Sequence, residues 1–282
     1  MRDICAARFS GAPHIFLEPP GELMRDLDGK IAIVTGGTRG LGRAISLGMA
    51  RLGATVAMNY RRDEASAAQT LDEVREFAPR SMLVKADLED ESQVRAMVTR
   101  AASELGGLDI LVANAAATAF KPLLETKPHN LARTFALSIN GFVAAVQEAS
   151  RVMGEGGRVL MISGIDSIRN LPGHGVLGAA KAALESMVRD FAFELGPRGI
   201  TVNGLNVGYI DTESARFYAN YLGYSYEDFQ RRCAERSALK RLPTLDEIAA
   251  VACLICLPAA SYLTAQTIMV DGGFTLSFPG VK

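Results

Sequence analysis

Short apolar runs alternate with longer segments of helical periodicity along nearly the whole chain. The runs Ile31 to Val34, Ala54 to Asn59, Ser81 to Lys85, Leu108 to Val112, Gly157 to Ser163, Ile200 to Asn206 and Thr267 to Val270 are short and rich in Val, Ile and Leu. Strands buried on both faces have this character. Between them the spacing predicts helices over 41–52, 90–105, 128–153, 176–196 and 244–256, with an irregular helical segment over 213–238. A further, polar helix carries Arg61, Arg62, Asp63 and Glu64 in its first turn. Helix 176–196 places Leu184, Met187, Val188, Phe191 and Leu195 on one face. Strands alternating with helices specify an α/β domain whose parallel sheet is covered on both sides. No linker divides residues 28–282, so one domain is expected there. Residues 1–27, with Gly11, Pro13, Pro19, Pro20 and Gly21, lack the periodicity and read as an N-terminal extension.

Composition narrows the function by exclusion. The chain of 282 residues is 49% hydrophobic, enough for a sizeable core, and its formal net charge is -1. That balance gives no general attraction to nucleic acid or acidic membranes. With no signal peptide or long apolar span in the sequence, a cytoplasmic location is the expectation. Cys5 and Cys233 are isolated, and Cys253-x-x-Cys256 lies in an apolar helical pattern without a second ligand pair, so it reads as helix core and no metal is expected.

The chemistry begins after the first strand. Thr35-Gly36-Gly37-Thr38-Arg39-Gly40-Leu41-Gly42 joins that strand to an apolar helix. Glycines there allow a tight turn and a close approach of a pyrophosphate to main-chain N–H groups, with the positive end of the helix behind them. The second strand ends in Asn59-Tyr60-Arg61-Arg62, with no carboxylate to bind a ribose 2′-hydroxyl, and Arg39 sits within the glycine turn itself. Arginines suit a 2′-phosphate, so NADP(H) is the expected cofactor.

Those residues, with Asp87-Leu88, Asn114-Ala115-Ala116, Asn140-Gly141, Lys181-Ala-Ala-Leu184, Ile210-x-Thr212 and Asp271-Gly272-Gly273, resemble the short-chain dehydrogenase/reductase family over about residues 28–275. The resemblance implies a Rossmann-type doubly wound sheet. It implies Asp87 facing the adenine, Asn114 shaping the end of the fourth strand, and Lys181 bonding the nicotinamide ribose. Thr212 and the backbone at Ile210 would hold the nicotinamide amide, with Gly208, Leu88, Ala115 and Ala116 also at the cofactor, and Asn140 would hold a proton-relaying water. Asn114-Ala-Ala, Ser167-Ile-Arg169, Lys181-Ala-Ala-Leu-Glu185 and Ile210-Asp-Thr212 look most like the NADPH-dependent enoyl-acyl-carrier-protein reductases of the short-chain type. An acyl or polyketide-like substrate, free or carrier-bound, is implied.

The pattern breaks at the acid. The family tyrosine four residues before the lysine would be Leu177, and seven before it, as in the enoyl reductase branch, His174. The family serine falls at Gly164, with Ser163 one place early. A carbonyl reductase needs a donor to the forming alkoxide, and neither leucine nor glycine is one. Three readings are open. His174 replaces the tyrosine, its reference pKa near 6.5 suiting a donor at neutral pH. Or a tyrosine of the segment after the nicotinamide turn enters the site. That segment and turn hold Tyr209, Tyr218, Tyr221, Tyr224 and Tyr226, of which Tyr209, Tyr218 and Tyr221 join Ser163 as candidate substrate contacts. Or hydride chemistry is lost, and the fold binds NADP(H) while performing cyclisation, isomerisation or dehydration, or acts as a binding partner. The faces of helices 128–153 and 176–196 are similar to the family's dimer-forming surface, so a homodimer or homotetramer is expected, with Phe274, Leu276 and Phe278 extending the contact.

Overall fold

The computed structural model describes residues 26–116 and 120–276. Seven strands form one sheet: β1 (Ile31–Val34), β2 (Thr55–Tyr60), β3 (Met82–Lys85), β4 (Leu108–Ala113), β5 (Met153–Gly164), β6 (Thr201–Val207) and β7 (Thr267–Val270). Their order is β3-β2-β1-β4-β5-β6-β7, and every pairing is parallel. The pleat sends alternate residues into two cores. Ala32, Val34, Val56, Met58, Ile110, Val112, Leu160 and Ile162 meet α1 (Gly40–Arg51), α2 (Glu64–Arg75) and the late helix Leu245–Cys256. Ile33, Ala57, Leu111, Val159 and Met161 meet α3 (Glu91–Leu105) and two helices, Gly141–Val152 and Gly175–Leu195, that follow later in the chain. This is the doubly wound α/β domain that the strand–helix alternation predicts.

The strand order reverses between β1 and β4. The connections from their C-terminal ends diverge to opposite sides and leave a crevice, the usual ligand position in such sheets.

Three expectations change. The helix over 128–153 is two helices, α4 (Pro128–Phe135) and α5 (Gly141–Val152), separated by a π turn at Ala136–Asn140. The break comes where a Cβ on Gly141 would lie 2.9 Å from the Leu88 carbonyl oxygen, so the helix passes the β3 end at backbone distance. After α6 (Gly175–Leu195), the segment 213–238 is not irregular. It holds α7 (Glu213–Tyr221) and α8 (Tyr226–Arg236), each with its own N-cap, Thr212 accepting from the Ala215 N–H and Ser225 from the Asp228 N–H. Arg61 and Arg62 precede α2 rather than opening it, because Asp63 is its N-cap and accepts from the Ser66 N–H.

Cys253 and Cys256 are buried on α9 (Leu245–Cys256), and burial pushes the Cys253 thiol up to about 12. Of the N-terminal extension only 26–27 is described; Leu27 is buried and its N–H donates to Leu52 O. Cys5, His14 and Phe278 lie outside the described residues. No helix among the described residues is long and apolar enough to cross a membrane.

Candidate active site

At the β1/β4 crevice the glycine turn is locked by backbone atoms. A Cβ on Gly42 would lie 2.1 Å from the Gly36 carbonyl oxygen, and Gly36 itself has φ +60. The first turn of α1 packs against the turn with no side chain between, and Arg39 at its N-cap makes no capping bond there, so the leading N–H groups face the crevice. Such a cradle fits a pyrophosphate. Thr35 Oγ1 accepts from the N–H groups of Asn114 (2.9 Å) and Ala115 (3.1 Å), and Asn114 Nδ2 donates to Thr35 O (3.0 Å). Asn114 therefore ties the β4 end to the glycine turn.

Other crevice residues are already occupied. Asn59 is buried: its Oδ1 accepts from Gly36 N–H (3.2 Å) and its Nδ2 donates to Ala86 O (3.1 Å), so it shapes the turn and has no free group for a ligand. Arg61 pairs with Glu89 (2.9 Å) and Asp87 (3.6 Å), and Arg133 shares Glu89 (2.8 Å). Asn59 and Arg61 are thus both engaged with partners inside the protein. Tyr60 ends β2 and is half-buried. Thr38 is buried, its carbonyl accepting from Thr70 Oγ1. Arg62 is exposed, and Arg39, 71% exposed, pairs with Glu213 on α7 (3.1 Å).

The crevice opens into a cavity of about 420 Å³. Leu41, Asn114 and Ala116 line its cofactor end, Gly208, Ile210 and Thr212 its side, and Phe120, His174, Leu177, Tyr209 and Tyr218 the rest, over Lys181. Lys181 is buried on α6 and donates to Ile162 O. Burial pushes its ammonium below the ordinary lysine range, with Asp166 and Glu185 pulling the other way. His174 is stacked on Phe120 (centroids 5.0 Å apart) and meets Tyr218 edge-on (4.3 Å). Its Nδ1 lies 3.1 Å from Asp166 Oδ2, while Nε2 is buried without a hydrogen-bond partner. Burial pushes Tyr218 up to about 12, and it raises Tyr209, whose hydroxyl lies 3.1 Å from that of Tyr226. Both stay neutral phenols.

A family model described as Enoyl-(Acyl carrier protein) reductase matches residues 36–275, from the glycine turn to the end of the sheet. The chain belongs to that branch of the short-chain dehydrogenase/reductase family. It is an oxidoreductase of a family built on nicotinamide cofactors. A 1-cyclohexenylcarbonyl-CoA reductase from Streptomyces collinus is 37% identical over 250 residues, 89% of this chain and 88% of the relative. The versicolorin reductase stcU of Emericella nidulans is 31% identical over 253 residues, 88% of this chain and 96% of the relative. Among solved structures, a short chain dehydrogenase from Burkholderia cenocepacia in complex with NADP superposes with TM-score 0.82 at 31% identity, covering 89% of this chain and 99% of that one.

Against the family pattern, the structure redistributes the polar groups. Asn140, the residue matched to the water holder, is exposed on the outer side of the π turn. Ser138, two residues earlier, is buried with an unpartnered Oγ, and it lines with Lys181, Thr35 and Gly141 a cavity of about 20 Å³. The register of a π turn cannot be read from a straight helical pattern, so the turn brings Ser138 rather than Asn140 to that cavity. Ser163 lines the large cavity, yet its Oγ donates to Glu185 Oε1 (2.5 Å), which also accepts from Ser167 Oγ (2.7 Å) and Asn206 Nδ2 (2.8 Å). Its hydroxyl donates into that network from the cavity wall. Tyr221 is 40% exposed and packs on the loop at Gly173, where a Cβ would meet its ring at 2.6 Å. Tyr218 lines the cavity wall, and Tyr221 packs behind it (centroids 6.2 Å apart).

Proposed function

We propose that this chain catalyses NADPH-dependent reduction of an enoyl thioester, or of a carbonyl in an acyl or polyketide-like substrate, with His174 as the proton donor. What carries the reading is His174, which lines the cavity that begins at the cofactor crevice and runs under α7 and α8, and whose Nε2 is buried without a hydrogen-bond partner. A buried polar atom left without a partner is costly unless a ligand satisfies it.

The crevice residues fit the cofactor. Gly36, Gly40, Leu41 and Gly42 would take the pyrophosphate, Arg39 and Arg62 the 2′-phosphate, Asp87 and Leu88 the adenosine side, Ala115 and Ala116 the floor. Lys181 would hold the nicotinamide ribose, and Gly208, Ile210 and Thr212 the carboxamide. NADPH held by these residues would supply hydride for the β-carbon of the enoyl group, leaving negative charge on the thioester oxygen. His174 in its imidazolium form donates Nε2–H to that oxygen, and the proton finishes on the α-carbon. Ser138 in place of Asn140 would hold the relay water, since a cavity of about 20 Å³ admits one water. The conjugated alkene is favoured over a ketone because an enolate needs less proton transfer in the rate-setting step than an alkoxide does.

The relatives support the class: the Streptomyces collinus protein is named for reduction of 1-cyclohexenylcarbonyl-CoA, an α,β-unsaturated acyl thioester, and the Emericella nidulans protein for reduction of versicolorin. The bound NADP of the Burkholderia cenocepacia structure supports the cofactor. The test is stopped-flow absorbance of NADPH mixed with 1-cyclohexenylcarbonyl-CoA and, separately, a β-ketoacyl thioester. NADPH oxidation by the first is expected. Tight NADPH binding with consumption by neither would favour the non-redox alternative instead. We further infer a homodimer or homotetramer through the faces of α4, α5 and α6, supported by Phe193, 87% exposed on α6. Light scattering of Phe193→Asp should then show a smaller species than the wild type.

A further inference from the structure

Asp166 and Gly164 have no role in the reading above, and the structure joins them. Gly164 stands where the family serine would fall. Its backbone is extended, with φ -158 and ψ 159, a conformation open to any residue. A Cβ placed on it would meet Asp166 Oδ1 at 2.7 Å, the next nearest atom being Asp166 Cγ at 3.8 Å. The space of the missing serine side chain is therefore filled by the Asp166 carboxylate. The other oxygen of that carboxylate is the one 3.1 Å from His174 Nδ1.

We propose that Asp166, lodged in the room left by Gly164, is a positioning residue that fixes the ring and tautomer of His174 so that Nε2 is presented to the substrate. The loss of the serine and the replacement of the tyrosine are then one change: the glycine admits the carboxylate, and the carboxylate orients the histidine.

The chemistry follows from the donor inventory. An ionised carboxylate only accepts, so the proton on Nδ1 stays directed at Asp166 in both charge states of the ring. Neutral His174 then offers an Nε2 lone pair to the cavity; protonated, it offers Nε2–H. On reduction the proton leaves Nε2, the Nδ1–H bond is retained, and the ring returns to the same tautomer ready for the next proton. The carboxylate is itself held in place. Asp166 belongs to a tight turn, Ile165–Ser167, whose Ser167 Oγ donates to Glu185 (2.7 Å). On the other side α6 presses on it, a Cβ on Gly178 lying 2.4 Å from the Asp166 carbonyl oxygen. Phe120 stacks on the imidazole and Tyr218 meets it edge-on, the two rings packing against each other as well (5.2 Å), and Nε2 is left buried without a partner beside the cavity that His174 lines.

This rests on His174 being the proton donor, and the test separates the two. The chain has three histidines, so ring nitrogen NMR of the whole protein can be assigned with His174→Ala. The wild type should show His174 protonated at Nδ1 when neutral. In Asp166→Asn the amide can donate to Nδ1, and the proton should move to Nε2. In Gly164→Ala the new methyl displaces the carboxylate, and the Nδ1 preference should be lost with the fold intact by thermal unfolding. Both variants should lower kcat for enoyl reduction by about 10- to 100-fold with KM within about three-fold, and the double variant should be no worse than Asp166→Asn alone. An unchanged tautomer and kcat in both single variants would overturn the positioning role while leaving His174 as donor. NADPH oxidation undiminished in His174→Ala would overturn both.

Discussion

The cofactor crevice and the substrate cavity share a wall, yet different atoms build them. The crevice is backbone against backbone: the glycine turn on the first turn of α1, the β4 end tied to β1 through Thr35 and Asn114. Its side chains, Asn59 among them, serve that backbone. The cavity is side chain against side chain: Lys181 on the sheet, His174 on Asp166, Ser163 on Glu185, Tyr218 on His174. A site made of backbone is fixed by the fold and tolerates almost no added atom. A site made of side chains can be rebuilt residue by residue while the fold stays, and the role proposed for Asp166 places such rebuilding at 164, 166 and 174.

The sharpest way to break the contrast is Gly42→Ala. The added Cβ must displace the Gly36 carbonyl, so a loss of about 3 kcal/mol in stability and of NADPH binding is expected, read by denaturant titration and by cofactor fluorescence. A variant with unaltered binding would mean the crevice is not backbone-limited. Lys181→Met probes the other side. Burial holds the Lys181 ammonium below its ordinary value of 10.5, so from the folded-state value up to 10.5 the unfolded chain binds more protons. Stability of the cofactor-free protein should therefore rise with pH through that window, and the methionine variant should flatten the rise. Smaller effects come from the arginines. Arg39→Ala and Arg62→Ala should each raise KM for NADPH roughly ten-fold and leave KM for NADH alone, whereas Arg61→Ala, removing a residue paired with Glu89 and Asp87, should change both cofactors alike. Smallest is Tyr218→Phe, which keeps the ring against His174 and removes only the hydroxyl. A change in kcat below about three-fold is expected, and a large loss would make Tyr218 the donor.

The same contrast explains what was legible in the sequence. Strand positions and the glycine turn follow from periodicity and spacing because the fold constrains them locally, whereas Lys181 and the Ile210-x-Thr212 turn stand out only through the family resemblance. Ser138 was hidden by a π turn inside a pattern that reads as one helix. The engagement of Arg61 with Glu89, and of Ser163 with Glu185 across α6, depends on partners distant in the chain. At Asp166 the sequence shows a glycine where the family resemblance expects a serine, two residues before an acid and ten before a histidine in the tyrosine position. Its meaning needed the 2.7 Å distance between a Cβ at 164 and the carboxylate.

The most direct test is single-turnover NADPH oxidation with an enoyl thioester in wild type and His174→Ala, both saturated with cofactor. Loss of about 10²- to 10⁴-fold in rate with NADPH affinity unchanged is the expected result, placing the proton donor in the rebuilt half of the site and leaving the backbone half untouched. An equal rate in the two proteins would contradict it.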